Sequence, residues 1–310
     1  MITLQQLRCL REVARQSLSV SNAAAALDAS QPNVSRQIQG LERALGVRIL
    51  VRRQNRVLGF TEVGQAILDL ATRVVNDVES IQAVADDARD EHSGQLRVAT
   101  THLHARYTLR SAIKGFAGVH PKVDFQLLQV DANGIAGLVE SGDAELGIST
   151  DAPSERSSLI FLEGDVLARS LIVPSAHPLA SRKRVTLDDL ARHPFLGYNP
   201  KSRNGRIIAQ AFRDHGIRVR SVMSANDSDV IKAYVEEGLG IAVIPTIAVE
   251  AADRDRLVGI DVTALFPPSR MTISLRRGAY PRRYVTDFIE MLAPQWSREA
   301  VLGVRGGGEL

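Results

Sequence analysis

The sequence predicts a winged helix-turn-helix head, all-α with a small β wing, then a long linker helix, then an α/β body in two lobes. Three observations predict it. Apolar residues recur at steps of three and four through the first 45 positions, a helical pattern with no proline fills 62–91, and short apolar runs alternate with helical patterns from 96 onward. The length of 310 residues, with 45% hydrophobic and 24% charged side chains, suits two or three globular domains.

The head comes first. Leu4, Leu7, Leu10, Val13 and Ala14 predict a helix over 3–15. Ser19 or Ser21 can cap a second helix reaching 27, whose four alanines at 23–26 let its backbone approach a neighbour closely. Residues 28–30 make a short turn. Ser30 or Gln31 then leads into Pro32, whose missing N–H costs nothing in a first helical turn. Val34, Ile38, Leu41 and Leu45 form the stripe expected to be buried, and Gly46 ends the helix. The other face carries Asn33, Ser35, Arg36, Gln37 and Arg43. Residues 49–51 and 57–60 then read as two strands joined by Arg52, Arg53, Gln54, Asn55 and Arg56.

Charge is divided unevenly along the chain. Residues 1–60 hold nine arginines against Glu12, Asp28 and Glu42, whereas 61–92 hold two arginines against eight acids. A basic head implies phosphate binding, with counterion release supplying affinity. Asn and Gln can read adenine, Arg guanine and Ser several partners, and an arginine hairpin suits phosphate or the minor groove. The candidate DNA-binding residues are therefore Ser30, Gln31, Pro32, Asn33, Ser35, Arg36 and Gln37 on the helix, with Arg52, Arg53 and Arg56 on the wing. The alternative is a helical bundle with a solvated polar face. The run AAAALDASQPNVSRQIQGLERALGVRIL, followed by TEVG, also resembles the DNA-binding end of LysR-type transcriptional regulators.

In the linker, Val63, Ile67, Leu70, Val74, Val78, Ile81, Ala85 and Ala88 step by three or four, and the eleven-residue step from Leu70 to Ile81 departs from strict heptads. Such a helix either lies on its own domain or pairs with a second chain, and the resemblance implies pairing. From 96 on, strands are expected at 96–100, 123–130, 144–150, 170–175 and 219–225 and in IAVIPT and MTISLRR, with helices near 107–117, 134–141, 205–215 and 228–237. That alternation predicts parallel sheets, and the late segments suggest a return to the first lobe. Residues 93–300 resemble the LysR-type effector-binding domain, which shares the architecture of periplasmic binding proteins. The expected organisation is thus 1–60, 61–92 and 93–300, with a disordered tail at 301–310.

Ligands of open α/β sheets bind beyond the carboxyl ends of strands. That rule selects Thr100, Thr101 and His102, then Ser149 and Thr150, and from the second lobe Ser202, Arg203, Asn204 and Gly205. Hydroxyls and helix N-termini there can hold a small anion, or can simply cap helices. The stretches VATTHLHARYTLRSAIKGF and, from Asp227, DSDVIKAYVEEGLGIAVIP resemble the CysB-type branch, regulators of sulfur assimilation. In that branch the pocket takes sulfate or an acetylserine-type inducer, and Thr101 and Thr150 match its anion-binding threonines. Leu103 stands where the branch has threonine, His104 where it has glutamine, Asn204 where it has threonine and Leu167 where it has tryptophan. The resemblance implies no fixed cofactor beyond such an effector. It implies double-stranded DNA and further copies of the chain, as dimer or tetramer, as partners, with RNA polymerase a further candidate.

His102 and His104 have metal-ligand chemistry, but no cysteine or nearby carboxylate in the sequence completes a set, so no metal is expected. One of them titrating near neutral pH would add charge to an anion site. A transporter's receptor needs export, yet MITLQQLRCLREV is charged and amphipathic, unlike a secretory leader. An enzyme needs an activated nucleophile or base, and no GxSxG, HExxH or P-loop pattern occurs. The single Cys9 fits a reducing compartment and no apolar run is long enough to span a bilayer, so the expected location is cytoplasmic, with no membrane partner.

Overall fold

The computed structural model describes residues 1–54, 56–89, 93–150 and 156–305. It divides into two units, Met1–Glu91 with Gly278–Arg282, and His92–Arg277 with Arg283–Leu310.

In the first unit, α1 (Leu4–Arg15), α2 (Val20–Ala26) and α3 (Gln31–Leu45) meet through Leu10, Val13, Ala23, Val34, Ile38 and Leu41, all buried. Thr3 and Gln6 cap α1 reciprocally, and Ser19 rather than Ser21 caps α2. Asp28, at φ 48°, makes the turn between α2 and α3. Gly46, at φ 70°, closes α3. Leu45 leaves the expected stripe: at the helix end, beyond the last buried turn, it is 36% exposed.

The wing is an antiparallel hairpin of β1 (Leu50–Arg53) and β2 (Arg56–Phe60). Arg52, Arg53 and Arg56 thus lie on strands, with Arg53 opposite Arg56, and not in a connecting loop. Asn55 lies outside the described residues. Thr61 joins wing to linker: its hydroxyl donates to the Arg48 carbonyl at 2.7 Å and accepts from the Gly64 N–H at 2.9 Å. The linker α4 (Glu62–Ala88) buries Leu68, Ala71 and Val75 and packs on α1. Val63, Leu70, Val74 and Ile81 of the apolar stripe are left exposed.

The second unit has two five-stranded sheets. The first lobe contains β3 (Gly94–Thr100), α5 (Leu109–Val119), β4 (Val123–Gln129), α6 (Ala132–Ser141), β5 (Leu146–Thr150) and β6 (Leu159–Leu167). The second contains β7 (Arg169–Pro174), α7 (Leu187–Ala191), β8 (Phe195–Tyr198), α8 (Arg203–Asp214), β9 (Ser221–Ala225), α9 (Ser228–Glu236), β10 (Ile241–Pro245) and β11 (Leu257–Asp261). The chain then returns with β12 (Ser269–Arg276), α10 (Arg283–Leu292) and α11 (Arg298–Arg305). Strand orders are β4-β3-β5-β12-β6 and β11-β7-β10-β8-β9.

Each sheet is mixed, which corrects the expectation of parallel sheets. β3, β4 and β5 run parallel, as do β8, β9 and β10, because each is reached through a helical crossover. β12 runs antiparallel to both β5 and β6, and β7 antiparallel to β10 and β11. These are the strands flanking the two passages between lobes, which enter their sheets with no such crossover. The expected disordered tail is also corrected: α11 extends to Arg305, and Val301 is buried in the first lobe's core. Residues 306–310 lie outside the described residues.

Gly64 marks the tightest approach in the first unit, since a Cβ there would stand 2.1 Å from the Ile49 carbonyl oxygen. Gly64→Ala must push linker from wing, an overpacking cost of about 1–3 kcal/mol. Urea unfolding followed on the first unit should show an earlier midpoint, and an unchanged midpoint would refute the close packing.

Candidate functional site

The α3 face takes shape from what its neighbours leave free. Ser30 is the N-cap residue but makes no side-chain capping bond. Gln31 accepts from the Ser21 hydroxyl at 3.2 Å, and Arg36 reaches back to the Pro32 carbonyl at 3.3 Å. Gln31, Pro32 and Arg36 are exposed, and Asn33, Ser35 and Gln37 half-buried. The helix's one acid turns to structural use: Glu42 accepts the N–H groups of Ile49 and Leu50 at 2.9 and 3.1 Å, anchoring the wing. Arg52, Arg53 and Arg56 are exposed on that wing. Arg11, by contrast, is committed to Asn76 and Glu79 of α4. The result is a polar helix N-terminus beside a cationic hairpin, the arrangement that reads base edges while holding phosphates.

The second unit's geometry is set by strand order. β3 lies between β4 and β5, and β8 between β9 and β10. The chain therefore reverses its winding at β3 and at β8, the place in open α/β sheets beyond whose carboxyl strand ends ligands bind. Thr100 ends β3 and Thr101 to His104 follow it, while Ser202 to Asn204 follow β8.

The candidates divide when their bonds are traced. Thr100 is fully buried with its hydroxyl on the Ile148 carbonyl at 3.0 Å, so its side chain serves the sheet. Thr101 is half-buried and its hydroxyl has no partner among the described residues. Leu103 packs against the second lobe's core, and Leu167 is buried at 6% exposure. Ser202 is engaged twice in capping α8, donating to the Asn199 carbonyl and accepting from the Gly205 N–H. Asp227 caps α9 through the Val230 N–H at 2.9 Å. For these two the capping reading holds. Asn204 turns its Oδ1 to the Arg169 guanidinium at 3.0 Å.

His104 opens a single π turn (His104–Thr108) ahead of α5, a device frequent at functional sites. Its Nδ1 lies 3.0 Å from the Thr108 hydroxyl and its Nε2 3.0 Å from that of Thr150. Burial pushes the imidazole down to about 4, against an opposing bond to the Ser149 backbone. Of the two histidines considered for a charge near neutral pH, His104 does not supply it: desolvation keeps it neutral.

The sequence offered no carboxylate to His102, but the fold brings two from the second lobe. His102, Asp227 and Asp229 each present a ligand atom within 4.8 Å of the others. Asp229 is, however, already met by His102 at 2.8 Å, by Arg106 at 3.0 Å and by the Tyr107 hydroxyl. The Lys232 ammonium stands 3.9 Å away. Burial raises the Asp229 carboxyl, but the bonds from Tyr107 and His102 and the charge of Arg106 bring it below its ordinary range. Two cations beside the shared carboxylate oppose a third, so the cluster is an ion-paired bridge between lobes. Burial also pushes the Tyr107 phenol up. Sequence reasoning missed this bridge and the buried Arg169; the signal for the latter was an arginine opening the apolar run RSLIVP.

His104 makes stability depend on pH with a definite sign. Its value falls from 6.5 to about 4 on folding, so between those limits the unfolded chain binds a proton that the folded chain refuses. Its contribution is complete above 6.5 and is lost as pH falls towards 4, by roughly 3 kcal/mol. His104→Gln should flatten the pH dependence by that amount in parallel denaturant titrations at pH 7 and pH 4. Curves that stay parallel for the two proteins would contradict a buried neutral imidazole.

No helix of the described residues is long and apolar enough to cross a membrane. Residues 4–65 match the bacterial regulatory helix-turn-helix protein, lysR family, and residues 89–297 match the LysR substrate binding domain. The chain is 38% identical over 303 residues to the HTH-type transcriptional regulator SsuR of Burkholderia cenocepacia, covering 98% of each. It is 39% identical over 301 residues to CysB of the same species (97% and 96% covered) and 37% over 290 to cbl of Escherichia coli (94% and 92%). Among solved structures, the cofactor-binding domain of the Cbl transcriptional regulator superposes with TM-score 0.64 at 34% identity, covering 68% of this chain and 93% of that one. A full-length OxyR variant from Pseudomonas aeruginosa shares the fold, with TM-score 0.75 at 21% identity over 96% and 98%. With a polar recognition helix and basic wing in its first unit, a two-lobed α/β second unit, and family matches over both, the chain belongs to the LysR family of DNA-binding transcriptional regulators.

Proposed function

We propose that this regulator controls genes of sulfur-compound metabolism and responds to a small sulfur oxyanion or an acetylserine-type molecule held between the two lobes. One observation carries the reading. Thr101, Thr150 and Asn204 come from strand ends and a helix start at the two points where the sheets reverse their winding, and none of the three is fully buried. Its relatives SsuR, CysB and cbl support the sulfur assignment, through the CysB-type motifs around Thr101 and Asp227. The effector is a transient ligand and not a resident cofactor. The exposed stripe of Val63, Leu70, Val74 and Ile81 supports self-association through α4, since a long apolar row is covered when two such helices pair. Paired heads meet paired half-sites on double-stranded DNA, and RNA polymerase is the partner through which a bound operator would act. Effector binding that changes lobe closure then biases the DNA-bound state.

Two measurements test these roles. Arg36→Ala should cost about 1–3 kcal/mol on a cognate operator and relax sequence preference, while Arg53→Ala should weaken all sequences alike and reduce the salt slope by about one. Equal losses on every sequence for both variants would remove the division between helix and wing. In thermal unfolding with sulfate, sulfite, thiosulfate, a sulfonate and an acetylserine, a ligand at a hundredfold over its Kd should stabilise by about 2.7 kcal/mol, roughly 5–10 °C for a unit this size. Thr101→Ala should abolish the shift. A panel without any shift would remove the sulfur assignment.

A further inference from the structure

We propose that Tyr280 and Arg282 are positioning residues for the DNA-reading head: they clasp the last turns of α4, and a polar line through Ser80 and Asn76 carries that hold to Arg11 on α1. The inference rests on the assignment of the first unit to DNA binding and not on the identity of any effector.

Two features of α4 call for partners. Asp86 and Asp87 lie in its last turn, which holds no base, although the negative end of a helix dipole disfavours acids. Asn76 is buried at 5% exposure on the helix that also buries Leu68, Ala71 and Val75, and a buried amide is costly unless it is hydrogen-bonded.

The strap Gly278–Arg282 meets the two acids. It joins β12 to α10, both of the second unit, yet it belongs with the first. The Tyr280 hydroxyl donates to Asp87 at 3.2 Å, and the Arg282 guanidinium lies 3.5 Å from Asp86 and 3.9 Å from Asp87. Gln82 and Arg89 also donate to Asp86. The side chains of Arg282, Asp86 and Asp87 are 17%, 16% and 11% exposed, so salt screens these pairs less than an open surface pair.

The polar line starts at the same strap. The Tyr280 backbone N–H donates to Ser80 Oγ at 3.3 Å, and the Ser80 hydroxyl donates to the Asn76 carbonyl at 2.9 Å. A carbonyl only accepts and a backbone N–H only donates, so both directions are fixed. Asn76 Oδ1 accepts from Arg11 at 3.1 Å, and the same guanidinium reaches Glu79 at 2.6 Å. Arg11 stands on α1, whose Leu10 and Val13 share one core with Val34, Ile38 and Leu41 of α3. A run of hydrogen bonds and core contacts thus leads from the strap to the helix that faces the bases. Base-edge pairing is bidentate and directional, whereas attraction to phosphates is not. Loosening the strap therefore acts on sequence preference more than on general affinity for DNA.

The test is fluorescence anisotropy of the full chain on an operator selected from a random duplex pool and on a mixed-sequence duplex. The variants are Ser80→Ala, Tyr280→Phe, Arg282→Gln, Arg282→Lys, Arg11→Gln and the Arg11→Gln/Ser80→Ala double variant. Ser80→Ala and Arg282→Gln are expected to lower operator affinity about three- to tenfold, the scale of one lost hydrogen-bonded contact. Affinity for the mixed-sequence duplex should stay within about twofold, since its charge contacts are untouched. Tyr280→Phe should act in the same direction, and Arg282→Lys should recover most of the loss in Arg282→Gln. In the Arg11→Gln background, Ser80→Ala should lower the operator-to-mixed ratio no further, because both changes cut one line. An unchanged ratio in Ser80→Ala and Arg282→Gln, equal loss on both duplexes, or additive losses in the double variant overturns the proposal and leaves the strap a packing element. A wild-type chain that prefers neither duplex removes the base-reading assignment and the proposal with it. Should Arg282→Gln not fold, Tyr280→Phe, which removes a single hydroxyl, decides by the same ratio.

Discussion

The two-lobed unit depends on one buried cation. Arg169 begins β7 directly after the first passage between lobes, and its guanidinium donates to the Pro267 carbonyl at 2.9 Å and the Ser269 hydroxyl at 2.8 Å on the second passage. A third bond reaches Asn204 at the start of α8. A charge this deep is tolerated only where its donors are satisfied. That requirement ties both crossings and the start of α8 to a single point. The hinge between lobes and the orientation of the Asn204 amide therefore have the same cause.

A second constraint acts across the crevice. Asp229 on α9 gathers His102, Arg106 and Tyr107 from the other lobe, while Glu250 takes Arg106 and Arg110. These contacts are partly solvated, and such ion pairs are individually weak. A bridge of this kind is suited to a lobe–lobe equilibrium that a small ligand can shift, because its differential affinity has only a few kcal/mol to overcome. The rigid element is the Arg169 junction, and the adjustable one is the Asp229 bridge.

In the first unit the same economy sorts the arginines. Nine arginines in 60 residues imply a polyanion, but not all face it. Arg11 pairs with Glu79 on the linker, which also explains part of the acidity that follows the basic head. Glu42, the acid on an otherwise acid-poor helix, binds the wing's first N–H groups. Arg15, Arg36, Arg43 and Arg48 remain exposed together with the strand arginines Arg52, Arg53 and Arg56, so most of the exposed positive charge lies along α3 and the hairpin that follows it.

Local chemistry in the sequence was enough for the head: proline in the first turn of α3, glycine at its end, apolar spacing of 3.6, and Thr61 ahead of α4 are short-range signals whose physical causes lie within a few residues. It also pointed to the end of β3 and the start of α8, because an apolar run followed by a helical pattern marks where a strand hands over to a helix N-terminus. It could not reveal β6, β8 and β11, or that β7 and β12 run antiparallel to their neighbours, since Glu163, Gly164 and Asp165 interrupt the apolar pattern of β6 and a strand's direction depends on a partner far along the chain. Nor could it separate Thr100 from Thr101, or tell that Ser202 caps a helix while Asn204 answers a buried arginine. Burial decided that His104 is neutral, and distance across the lobes decided that His102 meets Asp229. Hydrogen-bond partners and desolvation are properties of the folded space around a residue, and for Asn204 and His102 the neighbours that supply the bonds lie 35 and 127 positions away.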